Sequence, residues 1–137
     1  MVFIKTFDEL TNLELLQIMK LRQEVFMVEQ KIIETDIDSH DETCKHLFIK
    51  RGGQIVSYAR LLYINEQPYV GRVVTDINFR NQGLSTEIIE YLKERHESLA
   101  LSAQLPKVPF YKKLGFQIVG KKYMEAGIPH QKMIYIK

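Results

Sequence analysis

A short polar turn between an apolar stretch and an amphipathic stretch carries the clearest chemical signal in this sequence. Apolar and β-branched residues dominate positions 69–75, the turn spans residues 80–85 around Gly83, and apolar residues then recur at helical spacing. A strand, a tight loop and a helix start direct several backbone N–H groups at one point, where the helix dipole adds positive potential. The pattern therefore predicts an anion site, most often a phosphate site, at Gly83.

Two common phosphate-binding patterns, Gly-x-x-x-x-Gly-Lys-Ser/Thr and Gly-x-Gly-x-x-Gly, are absent from the chain. The turn Arg80-Asn81-Gln82-Gly83-Leu84-Ser85 instead resembles the coenzyme A loop of the GNAT superfamily of acetyltransferases, Arg/Gln-x-x-Gly-x-Gly/Ala. Ser85 stands in place of the last small residue. The resemblance implies that backbone amides from Gln82 to Thr86 hold the pyrophosphate of coenzyme A, with Arg80 nearby.

Three more blocks extend this resemblance over nearly the whole chain, in the family's order. Residues 21–30 match the Leu-Arg-x-x-Val-Phe-x-x-Glu-Gln of the ElaA/YjcF-like branch. Residues 110–116 resemble Phe-Tyr-x-Lys-x-Gly-Phe, and residues 125–130 resemble Glu/Asp-x-Gly-Ile-Pro-His. Ala126 stands where some relatives carry an aspartate, so no aspartate can assist catalysis there.

The resemblance implies one GNAT domain over residues 1–137, with an α/β (α+β) fold. The expected fold is a mixed, mainly antiparallel central sheet with a V-shaped splay between two middle strands and helices on both faces. The expected activity is transfer of the acetyl group of acetyl-CoA to a primary amine. A coenzyme A-binding module without turnover is the alternative, and a nucleic-acid-binding protein using the lysine-rich end is a third.

Acetyl transfer needs a bound donor, a deprotonated amine, help for the oxyanion and an acid for the departing thiolate. The resemblance implies that the pantetheine arm lies along residues 73–75, where a backbone N–H polarises the thioester. Tyr111 matches the family's acid, and packing under the cofactor is its alternative role. The predicted coenzyme A contacts are Val73, Val74, Thr75, Arg80, Asn81, Gln82, Gly83, Leu84, Ser85, Thr86, Gln104, Phe110 and Lys113. Lys112 and Lys121 are further candidates for the 3′-phosphate.

The general base is less well defined by the sequence. Its candidates are Glu29, His46, Glu125 and His130. Glu29 ranks first because it opens the acidic stretch 29–42, where a cationic amine would collect, and His130 ranks second. We expect direct attack in a ternary complex rather than a covalent route through Cys44, which lies in a charged loop.

Periodicity places these residues on a series of strands and helices. Thr11-Asn12-Leu13-Glu14 is a capping box, and the helix that follows carries Arg22 on its apolar stripe, which predicts a buried ion pair. Two further helices are predicted over residues 85–97 and 107–114. The predicted strands cover residues 2–7, 46–50, 54–64, 69–75, 99–103, 116–119 and 131–136. Gly71 within a strand predicts a bulge or a close backbone approach.

Composition limits the classes of protein to which the chain can belong. The 137 residues are 45% hydrophobic and carry a net charge of +2 and one cysteine, which suits a single globular domain without an internal disulfide. No apolar run approaches the ~20 residues of a membrane span, and the start does not resemble a signal peptide, so we expect a cytoplasmic protein. We expect no nucleic-acid partner, because the chain has no aromatic-basic motif and no strong net positive charge. We expect no metal, because Asp36-x-Asp38-x-x-Asp41 lacks the glycine and terminal glutamate of a calcium loop.

Charge is unevenly distributed along the chain. Residues 1–50 carry ten acids and six bases, whereas residues 107–137 carry seven lysines and one acid. Separate sides for an anionic and a cationic ligand fit this distribution, as do ordinary solvated faces. The expected acceptor is a small-molecule or peptide amine, with a cationic one favoured by the acidic stretch. A monomer and a homodimer fit the sequence equally well.

Overall fold

A mixed eight-stranded sheet forms the centre of the fold in the computed structural model, which describes residues 1–137. The strands are β1 (Phe3–Thr6), β2 (Lys45–Arg51), β3 (Gln54–Ile64), β4 (Gln67–Thr75), β5 (Ser98–Gln104), β6 (Gln117–Ile118), β7 (Tyr123–Glu125) and β8 (Ile128–Ile136). The helices are α1 (Asn12–Arg22), α2 (Leu84–Arg95) and α3 (Val108–Lys113). The predicted strands and helices are therefore present, with shifted ends, and β7 is an addition.

The sheet order is β1-β2-β3-β4-β5-β8-β6, with β7 also paired to β8. Only β4 and β5 run parallel, which confirms the predicted mainly antiparallel sheet. These two strands pair only where Tyr69 faces Ala100 and Val70 faces Leu101. Beyond Val70 and Leu101 the ladder stops, and the strands separate into the predicted V-shaped cleft.

Helices cover both faces of the sheet, as predicted. Ile18 and Leu21 of α1 pack with Phe48 of β2 on one face. The apolar stripe of α2 packs with Leu47, the neighbour of Phe48, on the other face. Neighbouring strand residues point to opposite faces, so this division follows from the pleat.

The chain after α1 continues as a π-helical stretch, Gln23–Glu29, rather than the regular helix that the apolar spacing predicts. Its last bond runs from the N–H of Gln30 to the carbonyl of Val25, at 2.9 Å. Such wide turns often occur at functional sites. This one carries Glu29 and Gln30 to the cleft, which both residues line.

The predicted capping box begins α1. The N–H of Glu14 donates to Thr11 Oγ1 at 3.0 Å, and the N–H of Thr11 donates to Glu14 Oε1 at 2.9 Å. Lys5 and Lys50 each contact the same carboxylate at 3.0 Å. Burial alone would raise the pKa of Glu14, but these hydrogen bonds and charges lower it to about 2.

We expect Glu14→Gln to make the free energy of unfolding depend less on pH in the acid range. A carboxylate with a lowered pKa stabilises the fold fully above its ordinary value of 4.5, and this contribution disappears as the pH falls towards 2. The variant should lose about 3 kcal/mol of unfolding free energy at pH 7 and almost none at pH 2, as measured by urea unfolding. Glu24→Gln, at an exposed position on the same helical segment, is the control; a pH-independent loss at Glu14 would contradict the linkage.

Arg22 has a fully buried side chain and bonds the segment that follows α1. Its Nε donates to Asp36 Oδ2 at 2.9 Å, and its Nη1 donates to Asp41 Oδ1 at 2.7 Å. Arg60 of β3 donates to Asp41 at 3.0 Å and to Asp38 at 2.8 Å. The predicted ion pair of Arg22 is thus confirmed as part of a larger arginine–aspartate network, which also includes Arg72.

Arg72 joins this network from a bulge in β4. Its Nε lies 2.9 Å from Asp36 Oδ1, and its backbone has the left-handed φ of 51°. The pairing shifts so that Ala59 of β3 faces both Arg72 and Val73, as in a β-bulge. The extra residue reverses the faces to which the following side chains point. Val70 packs in the core under α2, whereas Val74 packs in the core under α1.

The left-handed backbone at Arg72 makes a testable difference between two truncations. Arg72→Ala and Arg72→Gly both remove the guanidinium, but only glycine adopts a positive φ without steric cost. After allowing for the greater freedom of glycine in the unfolded chain, we expect Arg72→Gly to be more stable than Arg72→Ala by about 1 kcal/mol. Urea unfolding of both variants measures this difference, and an alanine variant of equal or higher stability would rule out a strained bulge.

Candidate active site

The splay between β4 and β5 opens into a cleft of about 850 Å³. Most of the residues predicted to contact coenzyme A line it: Val73, Val74, Thr75, Arg80, Asn81, Gly83, Leu84, Ser85, Thr86, Gln104 and Phe110. Tyr111, Glu29 and His130 line it as well. Gln82 and Lys113 do not, and both side chains are exposed outside the cleft. Lys107 lines it instead, and among seven C-terminal lysines no sequence signal singles it out.

The polar turn brings the start of α2 to one end of this cleft. Gly83 is the N-cap with a left-handed φ of 75° and no side-chain cap. A Cβ at Gly83 would meet no atom within 4 Å, so glycine serves the backbone conformation there rather than close packing. The first N–H groups of a helix have no acceptor inside it, so those after Gly83 are available to an anion.

Ser85 ties this helix start to the end of β4. Its hydroxyl lies 2.7 Å from Thr75 Oγ1, which in turn lies 2.9 Å from Ser57 Oγ of β3. Glycine or alanine at this position would lack the hydroxyl for that bond. The departure from the family pattern at Ser85 therefore has a structural role in fixing the turn against the sheet.

Arg80 and Glu29 form a two-pronged ion pair beside the turn. The Nη atoms of Arg80 donate to the two carboxylate oxygens of Glu29 at 2.6 and 2.7 Å, and its Nε donates to the carbonyl of Thr75 at 3.0 Å. The hydrogen bonds from Arg80 lower the pKa of Glu29. This geometry does not fit the predicted role of Glu29 as the base, because the paired carboxylate is a weaker proton acceptor and its oxygens are occupied.

Tyr111 is buried but keeps its hydroxyl unpaired. The ring packs against Phe110 and Phe116, at centroid distances of 5.0 and 5.8 Å. The side chain is 7% exposed, lines the cleft and makes no hydrogen bond within the protein. Burial raises the pKa of Tyr111, so the phenol stays protonated at neutral pH. It can therefore donate a proton to a group in the cleft.

Gln104 lies at the end of β5, where the splay is wide. Its Nε2 donates to Oε1 of Gln30 at 2.9 Å, so the chain after α1 reaches across to β5. Gln30 belongs to the Leu21–Gln30 block of the sequence, but the block itself does not reveal this partner. The contact places both amides at the cleft wall.

His130 and Glu125 form a polar pair on the far side of the splay. His130 Nδ1 lies 2.8 Å from the carbonyl of Ile128, which can only accept, so Nδ1 carries a proton. His130 Nε2 then faces Glu125 Oε2 at 3.4 Å. Ser102 of β5 hydrogen-bonds to Tyr123 of β7, whose ring stacks on His130. In the neutral ring Nε2 is therefore the proton acceptor, and it lies next to a carboxylate.

Tyr69 adds a second phenol near this pair. Burial, and then the neighbouring Tyr123 and Glu125, raise the pKa of Tyr69 to about 12. Periodicity alone gave no reason to single out Tyr69, Ser102 or Tyr123. They converge only through the registers of β4, β5, β7 and β8, which the sequence does not reveal.

His46 and Cys44 are buried away from the cleft lining. His46 Nδ1 lies 2.6 Å from the Tyr58 hydroxyl and Nε2 lies 2.9 Å from the carbonyl of Asp41, so both ring nitrogens are engaged. Cys44 is 4% exposed, and burial raises its pKa to about 11. Neither residue is placed to exchange a proton or an acyl group with a ligand in the cleft.

Two features are absent from the chain. No cluster of three or more histidine, cysteine, aspartate or glutamate side chains is arranged to hold a metal ion. None of the helices combines the length and apolar character that a membrane crossing requires.

Comparison with known proteins places this site in a family context. The family model described as an acetyltransferase (GNAT) domain matches residues 9–137. A UPF0039 protein of Schizosaccharomyces pombe is 37% identical over 94% of this chain and 92% of its own length. An acyl-CoA N-acyltransferase from Pseudomonas aeruginosa superposes with a TM-score of 0.90 at 34% identity over 98% of both chains.

More distant structures share the fold. Escherichia coli ElaA superposes with a TM-score of 0.87 at 28% identity, over 98% of this chain and 99% of its own. An aminoglycoside 6′-N-acetyltransferase complexed with coenzyme A has a TM-score of 0.70 at 17% identity, over 98% of this chain and 96% of its own, a likeness of fold alone. With the family model spanning residues 9–137, the chain belongs to the GNAT acetyltransferase family.

Proposed function

We propose that this protein is an N-acetyltransferase that transfers the acetyl group of acetyl-CoA to a primary amine of a small molecule or peptide. The observation that carries the proposal is the unpaired hydroxyl of Tyr111 in the same cleft as the helix N-terminus after Gly83. A module that only holds coenzyme A would not need a proton donor there. Membership of the GNAT family supports the same reaction class.

The donor binds along the edge of β4. Its pyrophosphate takes the N–H groups at the start of α2, with Arg80 and Lys107 supplying positive charge. Its pantetheine arm follows residues 71–75, which no longer pair with β5 and so leave their side of the cleft open. This arrangement directs the thioester towards the apex, where Val70 and Leu101 close the splay.

His130 is the base that the geometry favours, with Glu125 as its partner. Nε2 takes a proton from the acceptor ammonium, and the nearby carboxylate stabilises the positive ring that results. The free amine attacks the thioester carbon and forms the new C–N bond. The tetrahedral adduct then collapses, its C–S bond breaks, and the thiolate takes the proton of the Tyr111 hydroxyl. The nitrogen gives its surplus proton to the Tyr111 phenolate, which restores the phenol, and His130 releases its proton to solvent.

The route is a direct transfer in a ternary complex. Cys44 lies outside the cleft lining and its pKa is raised, so it supplies no thiolate to carry the acetyl group. Glu29 instead shapes the donor end by holding Arg80. The two carboxylates that ranked as base candidates therefore serve different ends of the cleft.

Tyr111→Phe should separate binding from turnover. Loss of the acid is expected to lower kcat by roughly a hundredfold or more, while the dissociation constant of acetyl-CoA stays nearly unchanged. Thiol release with an amine acceptor measures turnover, and the thermal shift with millimolar acetyl-CoA measures binding. Tyr91→Phe, on α2 outside the cleft, is the matched control. Equal losses of binding and turnover would make Tyr111 a packing residue, and wild-type binding without turnover of any amine would favour the module.

His130→Gln should show a deficit that depends on pH. Near neutral pH, kcat/KM should fall by roughly a hundredfold because the acceptor ammonium has lost its base. The deficit should shrink towards pH 10, near the pKa of an alkylamine, where the acceptor deprotonates unaided. The pH profiles of the variant and of His40→Gln, an exposed control, test this. A deficit of constant size at every pH would show that His130 only supports the fold.

A further inference from the structure

The charges that line the cleft differ between its donor end, beside the turn 80–85, and its acceptor end, beside Glu34 and Glu125. At the donor end, Arg80 and Lys107 outnumber the single carboxylate of Glu29 by one positive charge. An excess of positive charge suits a pyrophosphate. The acceptor end differs in charge, because its cations belong to the arginine–aspartate network.

Every guanidinium at the acceptor end is already neutralised. Arg60 is held by Asp38 and Asp41, and Arg72 is held by Asp36 and Asp38. With Arg22, the network contains three arginines and three aspartates. The Nε of Arg60 lacks a hydrogen-bond partner, but it has almost no exposed surface and is closed to a ligand. The acceptor end therefore offers no free cation to a substrate carboxylate.

Two carboxylates remain there without a lysine or arginine partner. Glu34 lines the cleft, is exposed and makes no ion pair. Glu125 lines the cleft with 55% of its side chain exposed, and its only charged neighbour is His130. The acceptor end thus carries two uncompensated negative charges when His130 is neutral.

These two carboxylates belong to opposite sides of the splay. Glu34 lies two residues before Asp36, which is bonded to Arg72 of β4. Glu125 lies 3.4 Å from His130 Nε2 of β8 and 3.5 Å from Ser102 Oγ of β5. An acceptor entering between β4 and β5 therefore meets one carboxylate on each wall.

Apolar surface lies beside the apex of the splay, where β4 and β5 are still paired. Leu62 of β3 faces Tyr69 of β4 in the ladder, and both line the cleft. Ile64, two residues further along β3, also lines the cleft and has 44% of its surface exposed. These side chains suit a hydrocarbon segment rather than a heavily hydroxylated one.

We propose that the acceptor is an aliphatic diamine or polyamine whose two nitrogens are joined by a methylene chain. The inference rests on the proposed acetyl transfer and specifies its substrate class. One ammonium loses its proton to His130 beside Glu125 and becomes the acetylated nitrogen. The distal ammonium stays charged against Glu34, and the methylenes cover Leu62 and Tyr69. Amino acids are disfavoured because their carboxylate meets Glu34 and no free cation.

Three acceptors of similar length test the substrate class with acetyl-CoA: 1,5-diaminopentane, pentylamine and 6-aminohexanoate. We expect kcat/KM for the diamine to exceed that for pentylamine about fivefold, as one solvent-facing ion pair allows, with 6-aminohexanoate the poorest. The advantage of the diamine should shrink as sodium chloride rises towards 1 M, because salt screens exposed charges. Thiol release measures all three.

Glu34→Gln should reduce the ratio of diamine to pentylamine to about twofold or less, because the distal ammonium loses its partner. Glu42→Gln, an exposed glutamate outside the cleft on the same acidic stretch, should preserve the ratio. Equal or better use of pentylamine or 6-aminohexanoate, or an unchanged ratio in Glu34→Gln, would overturn the diamine assignment while leaving acetyl transfer in place. Turnover of none of the three would also overturn the diamine assignment, and the proposed function would fall with it only if peptide amines were left unacetylated as well.

Discussion

The arginine–aspartate network is the interaction on which the rest of this structure depends. Three guanidiniums from α1, β3 and β4 converge on the carboxylates of one segment, Asp36 to Asp41. Removing a charged group from water costs several kcal/mol, so such a set is stable only when every member is paired. The network therefore fixes the acidic segment against the sheet as a single unit, and Asp36 at its start lines the cleft together with Glu34 and Thr35.

The network also connects the fold to the chemistry through the bulge in β4. Arg72 holds Asp36 from a left-handed position that follows directly after Val70 and Gly71, where the pairing with β5 ends. Inserting one residue there turns the following residues to the opposite faces of the sheet. The strand edge that we propose for the donor is thus the segment that the bulge reorients. A change in the network should consequently affect donor geometry and acceptor wall together.

Local patterns in the sequence predicted much of the fold and many of the residues that line the cleft. The capping box at Thr11, the turn at Gly83 and the burial of Arg22 each follow from neighbouring residues, and each is present in the structure. Contacts between distant parts of the chain were not predictable in this way. Glu29 ranked first as the base because of its acidic neighbours, but its nearest cation, Arg80, lies 51 residues further along the chain. Only strand register brings Ser102 of β5 next to Tyr123, which lies 21 residues further along the chain.

The pairing of Arg80 with Glu29 determines how the donor end would work in the acetyl transfer that we propose. An anion that uses Arg80 has to share or displace a two-pronged ion pair and a bond to the Thr75 carbonyl. A pyrophosphate therefore gains from Arg80 only the difference between two strong contacts, whereas the N–H groups of the α2 start are available in full. Donor affinity should then depend mainly on the backbone conformation at Gly83. In the proposed reaction, specificity for the acceptor depends on the opposite end, where the arginines are already neutralised and the uncompensated charges are negative.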